Sequence, residues 1–509
     1  MTVVVDGSPL TIEEVVAIAR RRDTAEPGGE LAERMSPSLD LVRAVIAADR
    51  TVYGITTGLG ALANTRIRSD QAAELQVDLI RSHAAGVGPL LRSEVVRAML
   101  LCRARTLAQG HSGVRPEVVE LLLELLRRDL LPAVPSLGSV GASGDLAPFA
   151  HLALPLIGEG EIVVDGTPRP SSDVLAGAGL EPLVLEAKEG LSLLNGTEGM
   201  LSLGCLATDR ARRLADAADA ACGLSVEALT ASARPFEERV HRLRPHPGQI
   251  VSARNIRRLI AGSEIGKSHA EDFSHAVQDA YSLRCAPQGH GAVRDTIDHG
   301  ARVFERELAS VVDNPIVFSD TGDVVSAGNF HGQPLAFVLD FLAIAMTELG
   351  SISERRTDRI LDPDRSSGLT PFLATRPGVD SGFMLTQYTA AALIAENRVL
   401  SHPASIESIP TSGLQEDYVS MGWGAGRKLD DVLWNTARVI AVELLCAAQG
   451  TEQRAPLRPA PGTAVVLDAV RSVVPPLVAD RPVGSDIEAV AALIDGDVFS
   501  DAIAPWVAT

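Results

Sequence analysis

Lysine is almost missing from this 509-residue chain: 43 arginines carry the positive charge and only Lys188, Lys267 and Lys428 share it. A pyridoxal-phosphate enzyme needs a Schiff-base lysine beside a phosphate cradle, and none of the three has that setting. Cysteine is sparse too. Cys102, Cys205, Cys222, Cys285 and Cys446 lie far apart, form no CxxC pair and are odd in number, which argues against a disulfide framework and fits a reducing cytoplasm. The 11 histidines show no HxxxH or HExxH spacing, so no metal site is expected. No basic patch offsets the net charge of -19, which disfavours nucleic acid or an anionic membrane as partner. The opening MTVVVDGSPLTIEEVV lacks the basic start and apolar run of a signal peptide. The longest apolar stretch, 335–346, contains Asp340 and is too short to span a bilayer. A soluble, cytoplasmic protein is expected. Its 46% hydrophobic and 22% charged residues suit an ordinary globular fold with a large core.

What is present is mostly helical pattern. Apolar residues recur at three and four spacing over 93–110 and 116–131, and again at 200–222, 334–360, 380–399 and 429–450. Gly110 closes the first of these, and Pro116 opens the second at a first-turn position, ahead of Pro132. Strand signals are few, the clearest being a hairpin within 161–175 around Asp165-Gly166. No repeat is evident, and RAPLRPAPG (454–462) reads as a connector. The fold class expected is mainly α, with long central helices forming a bundle.

Residues 135–151, PSLGSVGASGDLAPFAH, are rich in glycine and serine between two apolar helical regions. One reading is a tight turn with Asp145 capping the helix that follows. The glycines do not fit the dinucleotide fingerprint, and Ser143 is not in a nucleophile elbow. A further reading takes Ala142-Ser143-Gly144 as the precursor of a methylidene-imidazolone (MIO). The Gly144 nitrogen attacks the Ala142 carbonyl carbon, and dehydration of Ser143 leaves an electrophilic methylidene. An unhindered glycine nitrogen and a small alanine suit that closure.

GSVGASGDLAP resembles the signature of the aromatic amino acid lyase family, the histidine, phenylalanine and tyrosine ammonia lyases. Further matches follow in family order: YGITTGLG (53–60), RSHAAGVGP (81–89), LLNGT (193–197), QDAYSLRCAPQ (278–288), DNPI (313–316), NFHGQP (329–334) and QEDYVSMG (415–422). Together they cover nearly the whole chain. The resemblance implies residues 1–200 as an N-terminal domain carrying lid loop and MIO segment, and 201–509 as the helical bundle. It also implies a homotetramer whose active sites draw on three chains, with MIO as the only cofactor.

Expelling ammonia from an α-amino acid means removing a weakly acidic β-proton and a poor leaving group, and no side chain supplies the electrophile for that. By resemblance the substrate amine adds to the methylidene carbon and Tyr53, in the lid, is the base. Its ordinary pKa near ~10 means the site must favour phenolate. Arg284 resembles the family's carboxylate-binding arginine, whose planar fork grips bidentately. Tyr281 and Asn195 resemble residues contacting the MIO group, and Gln278, Asn314 and Phe330 resemble pocket-lining positions.

Substrate choice turns on Ser82-His83, Met384 and Glu416. Phenylalanine lyases carry an apolar pair at the first position and tyrosine lyases a His-Leu pair. Ser-His is the pattern of histidine lyases and of some tyrosine aminomutases. Glu416, in Gln-Glu-Asp, suits an imidazole N–H. L-Histidine is therefore the expected substrate, with a 2,3-aminomutase or tyrosine lyase as alternatives and an inactive helical scaffold as the non-enzyme one. Two departures stand out: Tyr418 replaces the histidine of QEDHVSM, which bears on hydrogen bonding near Glu416, and Leu59 replaces the lid phenylalanine of TGFG.

Overall fold

The computed structural model describes residues 2–21, 23–269 and 277–507. Packing divides the chain into two units, each gathered from three separated stretches. Met1–Leu206, Ala301–Leu339 and Ala404–Arg427 form the first, and Ala207–Gly300, Asp340–Pro403 and Lys428–Thr509 the second. The chain passes from one to the other inside four long helices, Glu198–Ala228, Ala286–Leu308, Gln333–Leu361 and Gly422–Glu452, and once more outside a helix, between Pro403 and Ala404. The fold is mainly helical, as the periodicity requires.

In the first unit the helix Ser93–Ala108 is buried from Val95 onward and packs against Ile12–Arg21 and Pro116–Arg127. Burying three of its arginines is tolerable only because each is matched. Arg97 reaches Asp129 at 2.6 Å, Arg105 donates to the Ser8 and Ser310 carbonyls, and Arg103 pairs with Glu198. The helix stops before Gly110, whose φ of +79° brings it against the Arg34 carbonyl, 2.5 Å from where a Cβ would stand. The next helix ends at Arg127, short of the 116–131 pattern, because Asp129 turns left-handed (φ +56°) and Leu131–Pro132 becomes a strand. That strand joins the expected hairpin, Glu161–Val164 with Thr167–Pro170, as the outer member of an antiparallel sheet. Asp165 and Gly166 both adopt positive φ in the two-residue loop, the geometry that matches strand twist.

The second unit is tied by a buried polar network. Glu443 accepts from Arg356 (2.5 and 2.8 Å), Ser225 (2.7 Å) and Ser353 (2.6 Å), while Asp219 accepts from Arg294 and His290, both at 2.7 Å. Arg356 also donates to His290 Nε2 at 3.3 Å, so His290 gives its Nδ1 proton to Asp219 and stays neutral. Burial likewise draws the His290 pKa down. Four helices thus share one set of internal hydrogen bonds, which fixes their register as a bundle.

Gln333–Leu361 contains the apolar run around Asp340 and is, among the described residues, the one helix long and apolar enough to cross a membrane. The helix outruns the apolar stretch that the sequence shows, but 61% of its most apolar window is buried in the protein, as in a core helix. Glu443→Ala leaves Arg356 buried without its carboxylate, and a loss of about 3–5 kcal/mol is expected in denaturant unfolding. A loss of about 1 kcal/mol or less, as for a surface pair, would contradict this account.

Candidate active site

The Ala142-Ser143-Gly144 loop runs between the strand Pro135–Leu137 and the helix Leu146–Ala153. Gly144 (φ +75°) lies in a parallel bridge with Gly196, whose carbonyl accepts the Asp145 N–H at 2.8 Å. A Cβ on Gly144 would collide with that same carbonyl oxygen. Glycine is therefore required for space as well as for an unhindered nitrogen. Between these fixed points Ser143, half-buried, donates its Oγ hydrogen to Asn195 Oδ1 at 2.5 Å. Neither the Gly144 N–H nor the Ala142 carbonyl takes part in a hydrogen bond among the described residues. The two groups that ring closure joins are thus unengaged, so the loop fits an MIO precursor.

Asp145 does not cap its own helix. Its carboxylate instead accepts the Met200 N–H at 2.7 Å, in the first turn of Glu198–Ala228, and the Ser139 hydroxyl at 3.1 Å. The close approach of Gly144 and Gly196 carries the side chain past its own N-terminus to that of the later helix. Complete burial pushes its pKa up to about 7, against the Met200 and Ser139 hydrogen bonds. From the other side Met421 N–H donates to the Val140 carbonyl at 3.0 Å and Trp423 Nε1 to Ser136 O at 2.8 Å.

Beneath the loop lies a layer of buried charge that the residue pattern alone did not flag. Asn195 Nδ2 donates to Asp313 Oδ1 (3.3 Å) and to the Asn314 carbonyl (3.1 Å). Asp313 Oδ2 takes Lys188 Nζ at 2.7 Å and Ser192 Oγ at 2.9 Å. Arg103 pairs with Glu198 at 2.6 Å, donates to the Ser192 and Asn195 carbonyls and lies over the Phe149 ring. Asn314 is buried, and its side-chain oxygen accepts the Ala327 N–H at 2.8 Å. The only signal of this layer was a lysine and two glutamates in the apolar run AKEGLSLLNGTEGM.

Tyr53 opens the loop expected to act as a lid, and its hydroxyl accepts the Gly60 N–H at 3.3 Å. Gly60 and Ala61 rest against Ser412, whose Oγ takes the Ala61 N–H at 3.1 Å. Glu416 Oε2 accepts from Thr411 Oγ1 at 2.6 Å, and its negative charge reaches both Tyr53 and His83. Burial, aided by Glu416 and opposed by the Gly60 N–H, holds Tyr53 above its ordinary pKa, so this chain on its own keeps it a phenol. His83 ends the helix Ala72–His83 with Nδ1 on the Leu79 carbonyl at 2.9 Å. Burial lowers its pKa, against Leu79 and Glu416, so the ring is neutral with Nε2 an acceptor. Among the described residues Tyr418 makes no hydrogen bond to Glu416. Its ring stacks on His331 (centroids 5.1 Å apart) and its hydroxyl donates to Gln333 Oε1 at 3.2 Å, beside half-buried Phe330.

The other expected residues belong to the second unit. Arg284 donates Nε to the Asp279 carbonyl at 2.9 Å and lies over the ring of Tyr281, which is 70% exposed. Gln278 is exposed and, with Arg284, lines a cavity of about 870 Å³. Met384 begins the helix Met384–Leu400, half-buried.

The raised pKa of Asp145 has a definite sign. The folded chain keeps a proton that the unfolded chain releases near pH ~4, so stability is lost as pH rises from there through about 7. Asp145→Asn keeps an acceptor for Met200 and is expected to flatten this slope. The check is the melting temperature of variant and wild type between about pH 5 and 8, where parallel curves would contradict a buried, late-ionising carboxyl.

A model of the aromatic amino acid lyase family matches residues 10–472. A histidine ammonia-lyase of Gloeobacter violaceus is 52% identical, covering 97% of this chain and 96% of its own. Among solved structures, a tyrosine aminomutase from Streptomyces globisporus superposes with a TM-score of 0.94 at 41% identity, covering 100% of this chain and 99% of that one. A histidine ammonia-lyase from Trypanosoma cruzi gives 0.92 at 41% identity, covering 100% and 96%. Matched end to end in sequence and in fold, and carrying the Ala-Ser-Gly loop in a geometry open to cyclisation, this chain belongs to the aromatic amino acid lyase family.

Proposed function

We propose that the protein eliminates ammonia from L-histidine to give urocanate, with an MIO group matured from Ala142-Ser143-Gly144. The observation that carries the choice of substrate is the placing of Glu416 against the Tyr53–Gly60 loop, with Oε2 on Thr411 and Oε1 3.7 Å from where a Cβ on Gly60 would stand, close enough to act on Tyr53 and on the neutral ring of His83. Glu416 Oε1 takes no hydrogen bond among the described residues, and His83 Nε2 is an acceptor, so an imidazole N–H meets acceptors rather than donors. Near-complete coverage by relatives named histidine ammonia-lyase supports the same reading.

The matured group supplies an electrophilic carbon for the substrate amine. Arg284 has Nε committed to Asp279, which leaves its two Nη groups for the substrate carboxylate, and the Tyr281 ring holds the guanidinium flat. Tyr53 takes the β-proton. Its pKa is raised in the free chain, so the phenolate grows as pH rises, and the positive charge of the bound substrate favours it further.

A homotetramer with shared sites belongs to this proposal. Tyr281 is largely open to solvent in a single chain, and Phe337, Phe341 and Ile344 expose an apolar stripe on one face of Gln333–Leu361. Such a stripe is what a neighbouring copy would cover.

Purified protein given L-histidine is expected to form urocanate, followed by ultraviolet absorbance, with no β-amino acid on chromatography. β-Tyrosine from L-tyrosine with histidine inert would favour the aminomutase reading and overturn the imidazole site. Tyr53→Phe should lower kcat about 10²- to 10⁴-fold while leaving the mass deficit of two waters that marks a matured chain. In the wild type kcat/KM should climb with pH beyond 8, as a base held above its ordinary value of 10.0 requires. A plateau below neutrality would assign the proton transfer to another group.

A further inference from the structure

The buried ion pair beneath the loop has no part in the reaction just described. We infer that Lys188 and Asp313 are positioning residues for maturation of Ala142-Ser143-Gly144, locking the Asn195 amide with its oxygen toward Ser143. This rests on the reading of that loop as the precursor of the electrophile.

An asparagine amide fits its site in two ways, exchanging oxygen and nitrogen, and only its partners decide between them. Here both Nδ2 hydrogens go to groups that can only accept, the Asp313 carboxylate at 3.3 Å and the Asn314 carbonyl at 3.1 Å. A flipped amide would press its oxygen against two acceptors and offer Ser143 an NH₂ group. The lock holds only while Asp313 is ionised. Burial alone would protonate it, but the Lys188 ammonium at 2.7 Å outweighs burial and holds its carboxyl below the ordinary range. Ser192 Oγ (2.9 Å) and the Asn314 N–H (2.7 Å) complete its shell. Lys188 itself is fully buried in a left-handed conformation (φ +70°), and among the described residues its ammonium donates to Asp313 and Ser192.

The chemistry needs a fixed serine. In the first step the Gly144 nitrogen bonds to the Ala142 carbonyl carbon. The carbonyl oxygen leaves as water with the amide protons of Gly144 and Ser143, and a C=N bond remains to the Ser143 nitrogen. In the second, Ser143 loses its Cα proton and its hydroxyl as another water, giving the Cα=Cβ bond, with no net oxidation. By accepting the Ser143 hydroxyl hydrogen at 2.5 Å, Asn195 Oδ1 restrains the position of that leaving group.

Maturation is followed in full-length protein by intact mass during a time course of synthesis, with folding checked by circular dichroism. Asp313→Asn, close to isosteric, is expected to slow loss of the two waters about tenfold or more, the scale of one hydrogen bond to a charged group. The double variant Lys188→Met/Asp313→Leu removes both charges without leaving either unpaired, though Ser192, Asn195 and Asn314 lose an acceptor and some stability with it; folded, it should mature as slowly. Lys188→Arg keeps the charge and should mature. Wild-type maturation in either folded variant lacking the Asp313 carboxylate, or a folded but immature Lys188→Arg, overturns the inference. A wild-type chain without the mass deficit would instead overturn the reading of the loop.

Discussion

Two peptide planes meet where Gly144 and Gly196 come side by side, and neither residue has room for a side chain. The chain arrives there from points 52 residues apart, as the Ser143–Asn195 hydrogen bond measures. Once the bridge forms, Asn195 must face Ser143, and the Asp145 carboxylate must face the first turn of Glu198–Ala228. The segment before that helix is consequently driven into the interior with its charges. Taking Lys188, Asp313, Arg103 and Glu198 out of water costs several kcal/mol per ion unless each is paired and hydrogen-bonded. The pairings found beneath the loop offset most of that cost, although Arg103 Nε and Glu198 Oε1 keep no hydrogen-bond partner among the described residues, so the backbone contact and the ion layer stabilise each other.

The helices were legible because their apolar spacing is long and regular, but their ends depended on contacts the spacing does not contain. Gly110 stops a helix at the expected place because the Arg34 carbonyl presses on it. The pattern over 116–131 overran because Leu130 and Leu131 are as apolar as the helix before them, while pairing of Leu131 with Val163 draws that residue into a sheet. The Asp165-Gly166 turn was readable because two-residue hairpin loops demand residues that tolerate positive φ.

At the site, the Ala-Ser-Gly loop was legible in the local sequence, whereas its surroundings come from long-range geometry. Asp145 sits directly before a helix, and proximity in sequence points to that helix's N-terminus. Its actual partner, Met200, is 55 residues away. In sequence Lys188 reads only as a poor Schiff-base candidate, since nothing local shows it meeting Asp313 across 125 residues. The Tyr418 departure is absorbed within the first unit, where its ring and hydroxyl engage His331 and Gln333 and leave Glu416 to Thr411. Leu59 lies beside Gly54 in the same loop as Tyr53, 3.3 Å from where a Cβ on that glycine would stand.

The shortage of lysine has a practical side. Lys188 is sealed inside the first unit, and Lys428 is held by Asp340 and the His402 carbonyl, which leaves Lys267 as the one exposed lysine among the described residues. Guanidinium groups are inert to the esters and aldehydes that couple to amines. Tethering to an activated resin, or attachment of a dye or polymer through amines, would therefore act at very few points on each chain. Conjugates would be close to uniform in orientation, whereas glutaraldehyde would find too few handles to knit chains together.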